Sequence, residues 1–336
     1  MAVIHIYDTT VDDRPVLEAA LAGAGELKFT EASLSAENVD ANADIISVFV
    51  ASTVSAELLD KFPKLKLIAC RSTGFNNVDL EAAKARGIVV ANVPSYGEHT
   101  VAEYTFGLLL TLTRRILEAS AAMDDGEGTH DSHLRGIDLY GKTLGLIGTG
   151  HIGRNVATIA NGFGMKVVAY DAYPDHDWAA QTNITYDDLD KVLATGDVVT
   201  LHIPYSDTVH NLMNAEKFAL MKPTAIIVNT ARGELVDTGA LIDALDNGHL
   251  AGAALDVFEG ESLVDVHHEL KTLRSSMKKE LLQEGLELDV LGKLPNVVLT
   301  NHNAFNSTEA LGRINQTSAD NITKFLAGAT QNNVIT

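Results

Sequence analysis

The sequence predicts an α/β protein of two doubly wound parallel-sheet domains with a cleft between them. Three observations carry that expectation. Short β-branched runs alternate with helical patterns from end to end, the signature of βα units and parallel sheets. The alternation falls into two sets separated by a long helical stretch. The chain has 336 residues, more than one hydrophobic core usually holds.

The first set opens with a strand over residues 3–7, followed by a helix from near Asp12 and by strands over 45–50, 65–70 and 88–91. A helix from about Thr100 to Met123 comes next, long enough to bridge two domains, and then a polar segment over 124–133. The second set starts after Gly141, with strands over 144–147, 167–170, 198–203, 225–229, 252–256 and 297–300. A last helix runs from Ser307 to about Leu326. Packed back on the first domain, it makes that domain discontinuous: residues 1–98 with 302–336, against 99–301 for the second. The chain then crosses between domains near Tyr96 to Thr100 and near Asn301 to Phe305.

Composition narrows the function. A net charge of −20 without a basic patch excludes nucleic acid as the expected partner. The N-terminus reads as a strand rather than a signal peptide, and no apolar run has the length to span a bilayer, so a cytoplasmic protein with no membrane role is expected. The one cysteine, Cys70, excludes an internal disulfide, suits a reducing compartment and ends an apolar run as a buried structural thiol.

The most informative motif is Gly148-Thr149-Gly150-His151-Ile152-Gly153, which follows the strand over 143–147 and opens a helix, with Asp171 ending the next strand. In that setting the first glycine permits a tight turn, the second lets backbone approach a pyrophosphate, and the third lets helix pack closely on strand. Amides and dipole at the helix start favour the phosphates. The second domain therefore reads as a Rossmann-like dinucleotide-binding domain. Asp171 accepts from the adenosine ribose hydroxyls and repels a 2′-phosphate, which favours NAD over NADP.

Three later strands end in Asn229-Thr230-Ala231-Arg232-Gly233, in Asp256-Val257-Phe258-Glu259-Gly260-Glu261, and in Asn301-His302-Asn303-Ala304-Phe305. Ligands of open α/β sheets collect at such carboxyl ends, so an arginine, a glutamate and a histidine can converge on one site. Arginine grips a carboxylate and polarises a carbonyl. Histidine moves the proton that accompanies hydride transfer, and a carboxylate fixes its tautomer. Singly, Arg232, the glutamates and His302 read as well as surface, loop and capping residues. Together they read as a reaction centre.

Over nearly its whole length the chain resembles the D-isomer-specific 2-hydroxyacid dehydrogenases, above all their D-lactate branch. The resemblance rests on residues 141–153, 229–237, 253–261 and the His302 segment. It implies Arg232, Glu261 and His302 as the catalytic set, with Glu259 the lesser candidate. It also implies that Ile203 and Pro204 line the adenine side, that Thr230 and Ala231 approach the nicotinamide, and that Asp256 bonds near its ring or amide. The loop from Arg71 to Asp79 resembles the family's substrate loop, with the amides of Thr73 and Gly74 on the substrate carboxylate. Tyr96 matches an active-site tyrosine of the lactate-type branch, although an aromatic packed at a hinge fits it equally. The implied substrate is a small 2-keto or 2-hydroxy acid, pyruvate and D-lactate first, and the implied assembly a homodimer with the helix over 100–123 at its interface. Alternatives are a D-2-hydroxyisocaproate- or glycerate-type enzyme, or an NAD-sensing binding protein on the same scaffold.

The chain departs from the family's pattern in places. Asn301 replaces the proline usual before the histidine, Asn303 follows it where Thr or Ile is common, and Asn76 stands where many relatives have Asp. Ala304-Phe305 matches the D-lactate branch rather than the Gly-Ser of glycerate-type relatives. The charged stretch from Val264 to Lys293, helical over 269–284, reads as a surface elaboration. His267-His268 and the group His130, Asp131 and His133 lack metal-site geometry and read as solvated segments, so no metal is expected.

Overall fold

The computed structural model describes residues 1–124, 134–259 and 279–335. It resolves into two compact units, Met1–Gly97 with Asn306–Thr336 and Glu98–Phe305.

The first unit holds a parallel sheet of β1 (Val3–Ile6), β2 (Glu26–Phe29), β3 (Ile45–Val48), β4 (Leu67–Cys70) and β5 (Val89–Ala91), ordered β2-β1-β3-β4-β5. Every residue of β3 and β4 is buried, as the unbroken apolar runs Ile-Ile-Ser-Val and Leu-Ile-Ala-Cys require of strands covered on both faces. The edge strand β2, Glu-Leu-Lys-Phe, was not among the expected strands; it is only partly buried, and Lys28 pairs with Asp40. Helix α1 (Asp13–Ala20) packs against the C-terminal helix Thr308–Leu326, whose N-cap Ser307 accepts from the Ala310 amide at 3.1 Å. Past that helix the chain covers the edge of β5: the Val334 amide donates to Val90 O at 2.9 Å and the Asn92 amide to Asn332 O at 3.1 Å.

The second unit holds a seven-stranded parallel sheet ordered β12-β11-β10-β9-β6-β7-β8. Its strands are β6 (Thr143–Ile147), β7 (Lys166–Tyr170), β8 (Ile184–Tyr186), β9 (Val198–Leu201), β10 (Ile226–Asn229), β11 (Gly252–Leu255) and β12 (Val297–Leu299). From β6 the chain builds outward through β7 and β8, then returns to β9 on the other side, which puts the topological switch between β6 and β9. The short edge strand β8 was not anticipated either.

The expected single helix over 100–123 is two helices, α2 (Glu98–Thr113) and α3 (Ile116–Asp124). Arg115 between them takes φ +52°, which no helix continues through. The chain returning at 134–139 requires the break: the Ile137 amide caps Thr113 O at 2.9 Å, and a Cβ on Gly136 would lie 2.2 Å from that oxygen. Helix α2 packs against helix α4 (His151–Gly162) and against β10, β11 and β12. The domain boundary expected before His302 falls after Phe305, because the segment 302–304 is bonded to Asp256 of the second unit. Of the expected surface elaboration, a helix over Lys279–Leu291 is described, ending with Leu291 in the core. His267, His268, His130, Asp131 and His133 lie outside the described residues. Among the described residues no helix is long and apolar enough to cross a membrane, and no cluster of His, Cys, Asp or Glu is placed to hold a metal.

Candidate active site

Most of the expected site residues lie past carboxyl ends of strands in the second unit. The glycine turn joins β6 to α4. Gly148 has φ +97°, and a Cβ there would lie 2.5 Å from His202 O, just past β9. A Cβ on Gly153 would lie 2.0 Å from Gly148 O, so only glycine lets the helix close on the turn. Gly150, the helix N-cap, has open space where its Cβ would stand. His151 and Ile152 complete the first turn. An open backbone cradle at a helix N-terminus is what a pyrophosphate requires, and the residues present fit NAD. Ile203 and Pro204 follow β9, with Ile203 Cγ2 2.8 Å from the Cβ position of Gly148.

Asp171 follows β7. Its Oδ2 accepts from the Thr149 amide at 2.7 Å and the Thr149 hydroxyl at 2.9 Å, and its Oδ1 from the Tyr173 amide at 2.9 Å. Nothing in the spacing of the glycines marks Thr149 for this role.

The loop after β10 is shaped by Asn229, fully buried, whose Nδ2 donates to Arg232 O at 2.8 Å while its Oδ1 accepts from the Ala231 amide at 3.0 Å. Thr230 meets Thr105 of α2, Oγ1 to Oγ1 at 3.0 Å. Thr105 gives its one hydrogen to Val101 O at 2.7 Å, so Thr230 is the donor of that pair. Arg232 is half-buried, and its Nη1 donates to Ala231 O at 2.6 Å. A Cβ on the next residue, Gly233, would lie 2.2 Å from Phe258 C, so the loops after β10 and β11 are in backbone contact.

Asp256 follows β11 and is fully buried. Its Oδ1 accepts from the Thr300 hydroxyl at 2.5 Å and the Asn303 amide at 2.8 Å, its Oδ2 from the Ala304 amide at 2.8 Å, and its backbone oxygen from the His302 amide at 2.8 Å. The side chain is thus turned into the loop that carries His302. That histidine is exposed and holds φ +52°, a left-handed conformation uncommon outside glycine, though histidine, asparagine and aspartate adopt it more readily than other residues. Its ring meets Phe305 edge-on at 6.3 Å. Glu261 lies outside the described residues; Glu259 ends the stretch before it.

Thr73, Gly74 and Tyr96 lie in the first unit. Arg71, buried at the end of β4, donates to Ser47 Oγ at 3.1 Å and to the backbone oxygens of Tyr7 and Asp8 at 2.7 and 2.8 Å. Burial pushes its guanidinium down to about 10. The loop after it is tied inward: Thr73 Oγ1 donates to Val93 O at 2.8 Å, Ser72 Oγ to Gly74 O at 2.6 Å, and Asn92 Nδ2 to Thr73 O at 2.8 Å. Asn77 Nδ2 joins it to Phe49 O and Ser52 O at 3.0 and 2.7 Å. Tyr96 O accepts from Arg313 Nε at 2.6 Å.

Residues 106–304 match the family model of the NAD-binding domain of D-isomer-specific 2-hydroxyacid dehydrogenases. A 2-hydroxyacid dehydrogenase homolog of Haemophilus influenzae is 37% identical over 99% of this chain and 98% of its own. The D-lactate dehydrogenase of Escherichia coli is 36% identical over 97% and 98%. A crystal structure of D-lactate dehydrogenase from Aquifex aeolicus, complexed with NAD and lactic acid, matches with a TM-score of 0.82 at 35% identity over 97% and 96% of the chains.

Proposed function

This chain belongs to the D-isomer-specific 2-hydroxyacid dehydrogenases, NAD-binding oxidoreductases acting on CH–OH groups, and from that premise we propose that it reduces pyruvate to D-lactate with NADH. The observation that carries the reading is the strand-end frame in which Asp256 holds the His302 loop, with Gly233, next to Arg232, packed on Phe258 of the loop after β11. Pyruvate is favoured by similarity to the two D-lactate dehydrogenases and by Ala304-Phe305 after the histidine.

When bound, NADH supplies the hydride that adds to C2 of the keto acid. The Arg232 guanidinium binds the substrate carboxylate and polarises the C2 carbonyl. The His302 imidazolium gives its proton to the carbonyl oxygen as that oxygen gains charge. Glu261 holds the imidazole in the required tautomer, a role that rests on resemblance alone. Thr73 and Gly74 add backbone amides for the carboxylate, and Tyr96 adds a hydroxyl. Thr230 and Ala231 bound the nicotinamide, and Ile203 and Pro204 the adenine side. The bonds that Asp256 already makes to the His302 loop favour a role under the histidine over a direct bond to the nicotinamide. Asp171 gives the preference for NAD over NADP.

A homodimer is the proposed assembly. Ile116, Leu117 and Met123 of α3 are exposed, as are Ile137 and Tyr140 after it, apolar side chains that a second copy could cover. The single, buried Cys70 suits the cytoplasm.

Initial rates with pyruvate, 2-ketoisocaproate, glyoxylate and hydroxypyruvate, each with NADH and NADPH, test the reading. Pyruvate with NADH should give the highest kcat/KM, and His302→Ala should lower kcat by about 10²–10⁴ while NADH binding persists. A higher kcat/KM for another acid refutes the D-lactate assignment, and absence of turnover with all four refutes the enzyme.

A further inference from the structure

The donors around Asp171 have an order that hydrogen counting settles. The Thr149 hydroxyl lies 2.9 Å from Asp171 Oδ2 and 2.7 Å from the Tyr186 hydroxyl. It has one hydrogen, and an ionised carboxylate can only accept, so that hydrogen goes to Asp171. Tyr186 must then donate to Thr149. The result is a directed chain from Tyr186, at the end of β8, through Thr149 in the glycine turn, to Asp171 at the end of β7.

Thr149 is gripped on its other side as well. Its backbone oxygen accepts from Arg154 Nε at 3.0 Å, and the same guanidinium bonds Asp175 at 2.8 Å and lies 4.8 Å over the Trp178 ring. The threonine is buried, with 4% of its surface exposed, whereas Asp171 is half-exposed. Its hydroxyl is therefore aimed by protein on every side at a carboxylate that still meets solvent.

We propose that Thr149, oriented by Tyr186, is a positioning residue for cofactor choice, holding the Asp171 carboxylate where it accepts from the ribose diol of NADH. The inference rests on the reading of Asp171 as the ribose acceptor. Without the hydroxyl, Asp171 keeps two amide donors and can swing. NADH then loses its diol contact, whereas NADPH, which has a phosphate at the 2′ position and only the 3′ hydroxyl free, has less to lose. Discrimination narrows through NADH.

The charge state follows the same geometry. Partial burial acts to raise the Asp171 carboxyl, but the amides of Thr149 and Tyr173, the Thr149 hydroxyl and Arg154 together hold it below its ordinary value. The titratable and charged groups around it are Arg154, Asp175, Tyr173, Tyr186 and His176, whose ring meets that of Tyr186 edge-on. Removing one donor raises the carboxyl. Preference for NADH, which needs the anion, is then lost at a higher pH on acidification.

The test is initial rates of the full-length protein with NADH and NADPH at saturating keto acid, from pH 8 down to pH 4. Thr149→Val should lower kcat/KM for NADH by about tenfold, the effect of one hydrogen bond to a charged group, and leave kcat nearly unchanged. Thr149→Ser should restore the parent value. Tyr186→Phe should narrow discrimination in the parent and add nothing to Thr149→Val. A merely structural threonine would change both cofactors alike and leave the pH at which discrimination fades unmoved, and that outcome overturns the proposal. Asp171→Ala separates the two readings: if it alters the NADH to NADPH ratio and Thr149→Val does not, only the proposal falls, whereas an unaltered ratio removes the role of Asp171 itself. Should Thr149→Val fail to fold, Tyr186→Phe decides, and an unmoved ratio overturns the proposal.

Discussion

Replacing Asp256 by asparagine keeps the shape of a buried side chain and removes one acceptor and one charge. Asparagine has a single carbonyl oxygen. Placed where Oδ1 stood, it still accepts from the Thr300 hydroxyl and the Asn303 amide, but its NH2 then faces the Ala304 amide, donor against donor. The flipped amide accepts from Ala304 and can donate to the Thr300 oxygen but faces the Asn303 amide instead, so in either orientation the substitution strands one amide donor. It loses one hydrogen bond to a charged acceptor, about 1.5–3 kcal/mol, and turns two others into neutral bonds about half as strong. Relief from burying an anion offsets part of that, leaving a loss of about 3 kcal/mol. For a unit of about 200 residues, at about 2–4 °C per kcal/mol, Tm falls by about 6–12 °C. The chain's one tryptophan, Trp178, lies in the same unit, so its fluorescence on heating reads that transition. The loosened loop also carries His302, so kcat for keto-acid reduction should fall while NADH binding changes little. A Tm within about 2 °C of the parent with unchanged kcat would show that the Asp256 bonds hold neither the unit nor the histidine.

Three further outcomes follow from single positions. Burial pushes the Cys70 thiol up to about 12, so the folded protein should resist iodoacetamide at pH 8 and react once denatured; rapid native labelling would contradict its burial. Burial holds the His202 imidazole down at about 3, whereas the unfolded chain binds that proton below about pH 6.5. Its contribution to stability is thus complete above that value and is lost as pH falls toward 3, so urea midpoints should drop less between pH 7 and 5 in His202→Gln than in the parent. Equal drops would show that His202 does not titrate this way. Gly153→Ala forces a methyl to within 2.0 Å of Gly148 O, and fluorescence titration should show NADH binding lost; parent-like affinity would contradict the closeness of helix and turn.

The sequence displayed what periodicity and glycine spacing encode. Long apolar runs such as Ile45–Val48 and Ile226–Asn229 announced buried strands, and Gly148, Gly150 and Gly153 announced the turn. The edge strands β2 and β8 escaped because Glu26, Lys28 and Thr185 interrupt the apolar signal in strands that are only partly buried. The break at Arg115 escaped because a left-handed arginine has no local signature; its cause is the returning segment at 136–137. Asp256 was legible as a site residue, but the direction of its carboxylate depends on Thr300, Asn303 and Ala304, more than forty residues away. Thr149 and Thr105 act through contacts with distant elements, which spacing does not encode.

The first unit takes its chain from both sides of the second, and that dictates an order of events at the ribosome. Residues 98–305 leave the exit tunnel as one uninterrupted stretch and can fold while synthesis continues. The first five strands emerge earlier, yet α1 waits for its partner helix Thr308–Leu326, and the outer edge of β5 stays open until Asn332 and Val334 arrive. The earliest part of the chain to be made is therefore the last to be finished, and for most of translation it presents an unpaired strand edge. A nascent chain stalled before Asn306 leaves that strand edge and the partner face of α1 uncovered, the kind of surface on which aggregation starts.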